Sequence, residues 1–464
     1  MPGIVLGVPA AVLSLQQQGL LERAFHDGLF PNLAFRAEAM PEEWPANTGQ
    51  QVFMTRPGLL PTIVTPITPG TDPLPQAIPF EQWIATLNQF AGTIDTHMPT
   101  STTANANLFL RNLHQLGLQA GQSINQIARN SLFQAYLSGQ TVLSVATGSS
   151  DQVIQVASCN GFTDVVIPGG NVAPQPVSAQ YPLPITIGTG ASAVSASVIG
   201  YTLNNPADPN GPGTLTLAAA VGSVIAIRTQ VVSAYAPTVI RSAPGGSVDA
   251  IGAADTVTLQ QAINAVAFLR RANVQPHDDG FFHAHVSPLS NAQFFADPVF
   301  QRINQSLPEH VIYKEGFIGT IAGIMFFMNT ESPESFNSGT LTSTAQSGIY
   351  ASGIGAETTN GTGVNIGRVL ITGKGSVYEK YIDESAYVTE AGIIGKIGEF
   401  DVINNGLNIL TERIRLVLRA PMDRLQQTVS ASWSISTSFP IPSDITAPSG
   451  SQRYKRAIVL EHSI

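Results

Sequence analysis

At 464 residues the chain has room for roughly two or three domains, yet only 11% of its residues are charged, against roughly 25% in ordinary soluble proteins. Hydrophobic residues make up 43%, so Gly, Pro, Ser, Thr, Asn and Gln fill the place of charge, a surface suited to being covered by other chains. The net charge of −9 excludes a protein that grips nucleic acid by neutralising phosphates. No run reaches the roughly 18 apolar residues of a membrane helix. The N-terminal apolar segment lacks the basic lead of a signal peptide, and the single Cys159 excludes an intrachain disulfide and fits a reducing compartment.

Residues 1–47 open with an apolar Pro/Gly segment and a helical pattern from Leu13 to Phe25. The steps Phe30-Pro31, Met40-Pro41 and Trp44-Pro45 then force extended chain, because a residue before proline avoids the helical region. Gln50 to Arg56 reads as a strand. Pro57, Pro61, Pro66, Pro69, Pro73, Pro75 and Pro79 punctuate a stiff projecting tip before a return strand, Trp83 to Phe90. From Ala104 to Leu137, Phe109, Leu113, Leu116, Ala120, Ile124 and Ile127 recur at three- and four-residue steps. That spacing predicts one amphipathic helix of about 50 Å, capped by Thr102 or Thr103 and closed by Gly139, with Gly117 and Gly121 as places where it would break. Residues 140–240 carry only Asp151, Asp164, Asp208 and Arg228 as charges. Their short Val/Ile/Thr runs between Pro/Gly/Asn turns predict an inserted β-sandwich or barrel. A second helix is expected from Thr256 to Arg271, capped by Asp255 or Thr256.

The stretch from Asp279 to Thr330 is the most informative. Phe281 to Ser287 reads as a strand with Phe282, Ala284 and Val286 on one face and His283 and His285 on the other. Pro288 ends it, a short helix follows, and Asp297-Pro298 starts another. The chain then turns through Glu315-Gly316 into Phe317 to Phe327, read as one long apolar strand with spaced glycines. Residues 335–366 form a Ser/Thr/Gly/Asn loop, and Arg368 to Lys374 another strand. Two half-buried strands come last: Ile414, Leu416 and Leu418 alternate with arginines, and Val429, Ala431, Trp433 and Ile435 alternate with serines.

Strand, proline, helix, then glycines leading into an apolar strand resembles the middle of the major capsid proteins of tailed bacteriophages, whose fold is shared with herpesviruses. The resemblance implies an α+β chain with a capsid fold: an N-terminal arm (1–47), an extended loop (48–90), a spine-helix region of the peripheral domain (91–139), an inserted all-β domain (140–240), an axial domain (241–366), and axial and peripheral strands with the C-terminus (367–464). It implies a structural subunit that assembles into hexamers and pentamers of an icosahedral virion shell around packaged double-stranded DNA, with no sequence-specific DNA contact and no membrane. Assembly would take place in the host cytoplasm, and the partners would be further copies of the chain, a portal and a scaffolding protein. Phe30, Trp44, Phe53, Arg56, Trp83, Arg111, Arg129, Arg413 and Arg415 are the expected subunit-contact residues. No lysine precedes Lys314, so the extended loop has none for a cross-link to a neighbour's asparagine, and the charge-poor first fifty residues point to a separate scaffold. A secreted adhesin, surface-layer or tail-fibre protein is the alternative that the charge-poor β-rich middle allows.

Chemistry finds little support. Gly188-Thr189-Gly190 fits a loose dinucleotide fingerprint, but the residues after it read as strand, and the motif needs a helix N-terminus for the pyrophosphate. His283 and His285, with His277, Asp278 and Asp279 just before them, are the weak metal candidates, since zinc needs three or four fixed ligands. A metal-dependent enzyme on this strand is the third reading. Asp278-Asp279 and Asp383-Glu384 are neighbours whose side chains diverge, and no nucleophile elbow or phosphate loop is present. Asn304 and Asn360 lie in glycosylation sequons that matter only on secretion. No cofactor and no catalytic residue are expected.

Overall fold

The computed structural model describes residues 20–29, 34–45, 48–57, 60, 63–68, 70–73, 75–76, 78, 80–103, 108–165, 174–206, 208–242, 248–304, 319–332, 334–337, 357–358, 364–382, 400–401, 406–411, 413–419, 421, 423–425, 427–444 and 453–464. The fold is α+β. It divides into two compact units, one of residues 1–52, 85–128 and 377–440, the other of residues 53–84, 129–376 and 441–464.

The first unit is built on the strand Thr428–Ser438, whose alternation of Val429, Ala431, Trp433 and Ile435 with serines places the apolar set inward. It pairs antiparallel with Asn88–His97 over ten residues and, on its other edge, with Ile414–Arg419, followed by Gly406–Thr411 and Phe400–Asp401. Tyr378–Tyr381 pairs with its end and carries Met40–Glu43 in parallel. The helix Leu108–Tyr136 is continuous through Gly117 and Gly121. Phe109, Leu113, Leu116, Ala120 and Ile124 are buried as its spacing predicted. Gly117 is required by packing: a Cβ there would sit 2.3 Å from the Phe25 carbonyl oxygen, and one on Gly28 would sit 2.5 Å from that of His114. The helix Leu20–Leu29 therefore crosses the long helix with backbones touching. Thr102 and Thr103 lie in a separate short helix, Met98–Thr103, and their expected capping role falls outside the described side chains. The Ser101 hydroxyl accepts the Phe109 N–H at 3.3 Å.

Among the described residues, the two largest sheets of the second unit have separate cores. In the first, the strands run in the order Val239–Arg241, Ala457–Ser463, Ile366–Thr372, Phe282–Val286, Ile324–Met328 and Thr320–Ile321. Phe282, Ala284 and Val286 face a core shared with Leu259, Leu269, Phe294, Phe300 and Val369. The helix Leu259–Arg271 is capped by Thr258, with Gln261 completing a capping box. This corrects the expected Asp255 or Thr256, because the helix begins three residues later than the apolar pattern suggested. Ser287 caps Pro288–Ala296. Asp297 serves two helices, accepting the Val299 N–H at 2.9 Å at the start of Pro298–Asn304 and the Leu259 N–H at 2.7 Å at the start of the longer helix. The single apolar strand expected from Phe317 to Phe327 is instead a hairpin: Thr320 pairs with Met325 and Ile321 with Ile324. Ala322 and Gly323 stand at φ +54 and +83, the conformation that reverses a chain in two residues. The Glu315-Gly316 turn lies outside the described residues. Of the loop expected at 335–366, the described ends are strands, Glu334–Asn337 and Glu357–Thr358.

The other sheet of this unit lies within residues 140–233, in the order Gln140–Val142, Gln230–Ser233, Leu183–Ile187, Val194–Leu203, Gly213–Leu217 and Val153–Val156. Its ends meet. Leu143 bridges Val156, and the Ala157 N–H donates to the Val142 carbonyl at 3.0 Å. The sheet thus closes into a six-stranded barrel filled by Leu143, Ile154, Phe162, Ile185, Val198, Leu215 and Val231. Gly139, at φ +69, turns the chain from the long helix into it.

Candidate subunit-contact surface

Gln51–Pro57 and Phe80–Thr86 pair as a two-stranded ribbon. Strand alternation makes its two faces unlike. Glu81, Trp83 and Ala85 are buried on one, while Phe53, Phe80 and Ile84 face outward. The segment between the strands carries more apolar surface: Val64 is 88% exposed, Ile63 68% and Ile67 57%. Pro66, Pro73 and Pro75 fix φ in that segment, and none of its described residues belongs to a helix or strand. An isolated two-stranded ribbon is marginal in water; this one has one face buried within the chain and leaves the other exposed.

The end of the ribbon beside that segment is tied by charge. Arg56 pairs with Glu81 on the facing strand and with Asp444, and its guanidinium lies 5.9 Å from the centre of the Trp83 ring. In the first unit Glu379, almost fully buried, receives Arg36 at 2.7 Å and Arg413 at 2.8 Å, and Arg413 also lies over Tyr381 at 4.5 Å. Glu42 pairs with Lys380 at 2.8 Å beside them.

The expected contact residues divide accordingly. Phe53 and Arg111 are exposed, and Arg415 and Arg413 are partly so. Trp44 and Trp83 are turned inward, the Trp44 indole donating to the Gly49 carbonyl at 3.2 Å. Arg129 is buried and donates to Asn130 and to the Glu331 carbonyl. These three side chains are spent within the chain and leave little to offer a neighbour. Phe30 lies outside the described residues. Sequence reasoning missed Glu81, Asp444 and Glu379, because each is defined by a partner far away in the chain.

The histidines of this strand contact neighbouring side chains. The His283 ring donates from Nε2 to the Asp279 carboxylate at 2.8 Å, stacks on His277 at 4.0 Å, and meets Phe327 edge-on at 5.0 Å. His277 reaches the Thr372 hydroxyl at 3.2 Å. Burial works to raise the Asp279 carboxyl, but the Phe281 N–H and His283 outweigh it and hold the group below the usual range. His285 is buried against Phe327. Asp278 turns away to Lys374, as divergent neighbours should, while the Asp383-Glu384 pair lies outside the described residues. Gly188 and Gly190 form a tight turn between strands, with one short 3-10 turn and no α-helix after it. Burial pushes the Cys159 thiol up to about 12, which makes it a packing residue rather than a nucleophile. Among the described residues no helix is long and apolar enough to cross a membrane.

No known family pattern matches the chain, and no curated protein does. It is similar to a chain in the capsid structure of cyanophage P-SCSP1u, with 12% identity and a TM-score of 0.48 over 93% of this chain and 88% of that one. It is likewise similar to a chain of the cyanophage Pam1 capsid, with 9% identity and a TM-score of 0.47 over 94% and 92%. A third similar chain comes from the head of Helicobacter pylori bacteriophage KHP40, with 9% identity and a TM-score of 0.48 over 92% and 91%.

Proposed function

We propose that this chain is the major capsid protein of a tailed bacteriophage, a structural subunit that associates with copies of itself to form the icosahedral shell around packaged double-stranded DNA. The observation that carries the reading is the ribbon of residues 51–86. It presents Phe53, Ile63, Val64, Ile67 and Phe80 to water, in a chain with only 11% charged residues to keep it soluble. Exposed apolar surface of this extent marks an interaction site, and repeated copies of one chain supply the covering surface at every position of a shell. The element order supports the same reading: strand, Ser287-Pro288, helix, second helix, then the Thr320–Met328 hairpin.

Within this reading, residues 1–47 are the arm, 48–90 the extended loop, 91–139 the spine-helix region, 140–240 the inserted domain, and 241–366 and 367–464 the axial and peripheral remainder. The hexamer and pentamer contacts use Phe53, Arg111, Arg413 and Arg415, whose side chains keep exposed surface. A portal and a separate scaffolding protein complete the particle, and the subunit itself performs no catalysis. Electron microscopy of the purified protein, alone and with its scaffold, tests the proposal: closed shells are expected. Monomers at every concentration with both components present would overturn it.

A further inference from the structure

At the loop end of the ribbon, where its two strands meet the intervening segment, two carboxylates converge on one guanidinium nitrogen. Arg56 Nη2 meets both Glu81 on the facing strand and Asp444 in the C-terminal segment, the latter at 2.5 Å. The two acids are unequally supplied. Asp444 also accepts from Arg456 Nε at 3.1 Å and from the Lys455 backbone N–H at 3.3 Å. Glu81, whose side chain has no exposure, has Arg56 as its ion-pair partner, with Lys455 acting through space. Tyr136, Tyr454 and Arg456 face the cluster from the Asp444 side. Two like charges on one cation, one of them removed from water, favour keeping a proton on the pair.

We propose that Glu81, Arg56 and Asp444 form a proton-dependent latch, which holds the loop end of the ribbon against the C-terminal segment when Glu81 is protonated and releases it when Glu81 is ionised. Burial, with Asp444 adding to it and Arg56 opposing it, pushes the Glu81 carboxyl up from 4.5 to about 7. Asp444 is raised as well, again by burial against Arg56. With the latch open Glu81 is hydrated and titrates as an ordinary carboxylate, so the closed form binds the proton more tightly. By linkage the closed latch is favoured most below the ordinary value, and the advantage is lost as pH rises toward about 7. The latch rests on this chain's own geometry. Its consequence, that pH sets how readily the ribbon swings toward a neighbouring copy, rests on the self-assembly reading.

Hydrogen exchange on the unassembled full chain tests the latch without requiring shells. Protection of the Gln51–Pro57 and Phe80–Thr86 amides, corrected for intrinsic rates, is expected to fall roughly 50-fold between about pH 5 and pH 8. In Glu81→Gln, a neutral isostere, ribbon protection is expected to stay high throughout, while the Ile366–Thr372 strand is unchanged in both proteins. Wild-type ribbon protection that is flat or rises with pH would overturn the proposal, as would a Glu81→Gln protein that keeps the fall. Should that variant lose its fold, titration of the Glu81 side chain in the wild-type protein decides: a midpoint near 7 supports the latch, and one near 4.5 refutes it.

Discussion

Lowering the pH on the unassembled chain should cost stability through one buried side chain, His462. Its ring is fully buried in the Ala457–Ser463 strand. Nδ1 lies 2.8 Å from the Ser463 carbonyl and so donates to it; Nε2 lies 2.9 Å from the Ser290 hydroxyl and accepts from it, and Ser290 in turn lies 3.0 Å from the Ser287 hydroxyl. Every group in that chain is satisfied by a neutral imidazole. Protonating Nε2 would set a donor against a hydroxyl that already donates, with no water to take the charge. Burial therefore drives His462 down from 6.5 to about 4, against the pull of the Ser463 carbonyl and Glu461. The unfolded chain binds this proton first as pH falls, so the stability is fully present above about 6.5, is lost on the way down, and is gone near about 4. At about 1.36 kcal/mol per unit the loss comes to about 3 kcal/mol. Urea unfolding of wild type and His462→Gln from about pH 7 to pH 4 measures it: the advantage of wild type over the variant should shrink by that amount across the range. A constant difference, or a His462 ring that titrates in its ordinary range by NMR, would refute the reasoning.

Asp297→Ala removes the acceptor for two helix starts, each worth about 1 kcal/mol, so unfolding free energy should drop by about 2 kcal/mol, where a cap on one helix alone would give half. Gly117→Ala sets about 1 kcal/mol of helix propensity against a Cβ placed 2.3 Å from a backbone oxygen. Because overpacking of this kind costs roughly 1–3 kcal/mol, calorimetry should find a lower melting temperature, and a higher one would show that the two helices separate freely. Expressed alone from about Gln140 to Arg241, the barrel should be soluble and β-rich and should unfold cooperatively, since its core is its own and its entry and exit are hydrogen-bonded to each other, Arg241 to Gln140 at 2.6 Å. A disordered circular-dichroism spectrum of that piece would contradict it.

What could be read from the sequence was what repeats locally. The long helix was visible because Phe109, Leu113, Leu116 and Ala120 return at helical spacing, and the Thr428–Ser438 strand because its serines alternate with Val429, Ala431 and Trp433. The hairpin at Thr320–Met328 was not visible: its turn depends on Ala322 adopting a left-handed backbone, which alanine rarely does. Closure of the barrel was hidden for another reason, since the Leu143–Val156 bridge follows from the whole sheet's curvature and no short motif encodes it. The exposed ribbon was half legible. Its two strands were read near their observed bounds, yet Trp44, Trp83 and Arg129 read as surface anchors and are interior. Aromatic or cationic identity does not say which way a side chain turns. The Arg56–Asp444 pair joins residues 388 positions apart, a separation at which a single sequence carries no pairing signal.

The buried group of Arg241, Glu461 and Arg368 has a consequence for the order in which the chain can fold. Glu461 receives Arg241 at 2.7 Å and Arg368 at 3.1 Å, from residues 220 and 93 positions earlier. Its strand lies between theirs in the sheet. Until that strand arrives, Val239–Arg241 and Ile366–Thr372 have no common neighbour, and two arginines wait in what will become a dry interior. Contacts between positions this far apart form late, because the loop must close before the contact rewards it. The barrel, whose pairings all fall between residues 140 and 233, is free to form first, and the sheet that holds Glu461 is completed later. A nascent chain would therefore carry a finished barrel on an open sheet with exposed edges, the state in which pairing with the wrong copy is easiest.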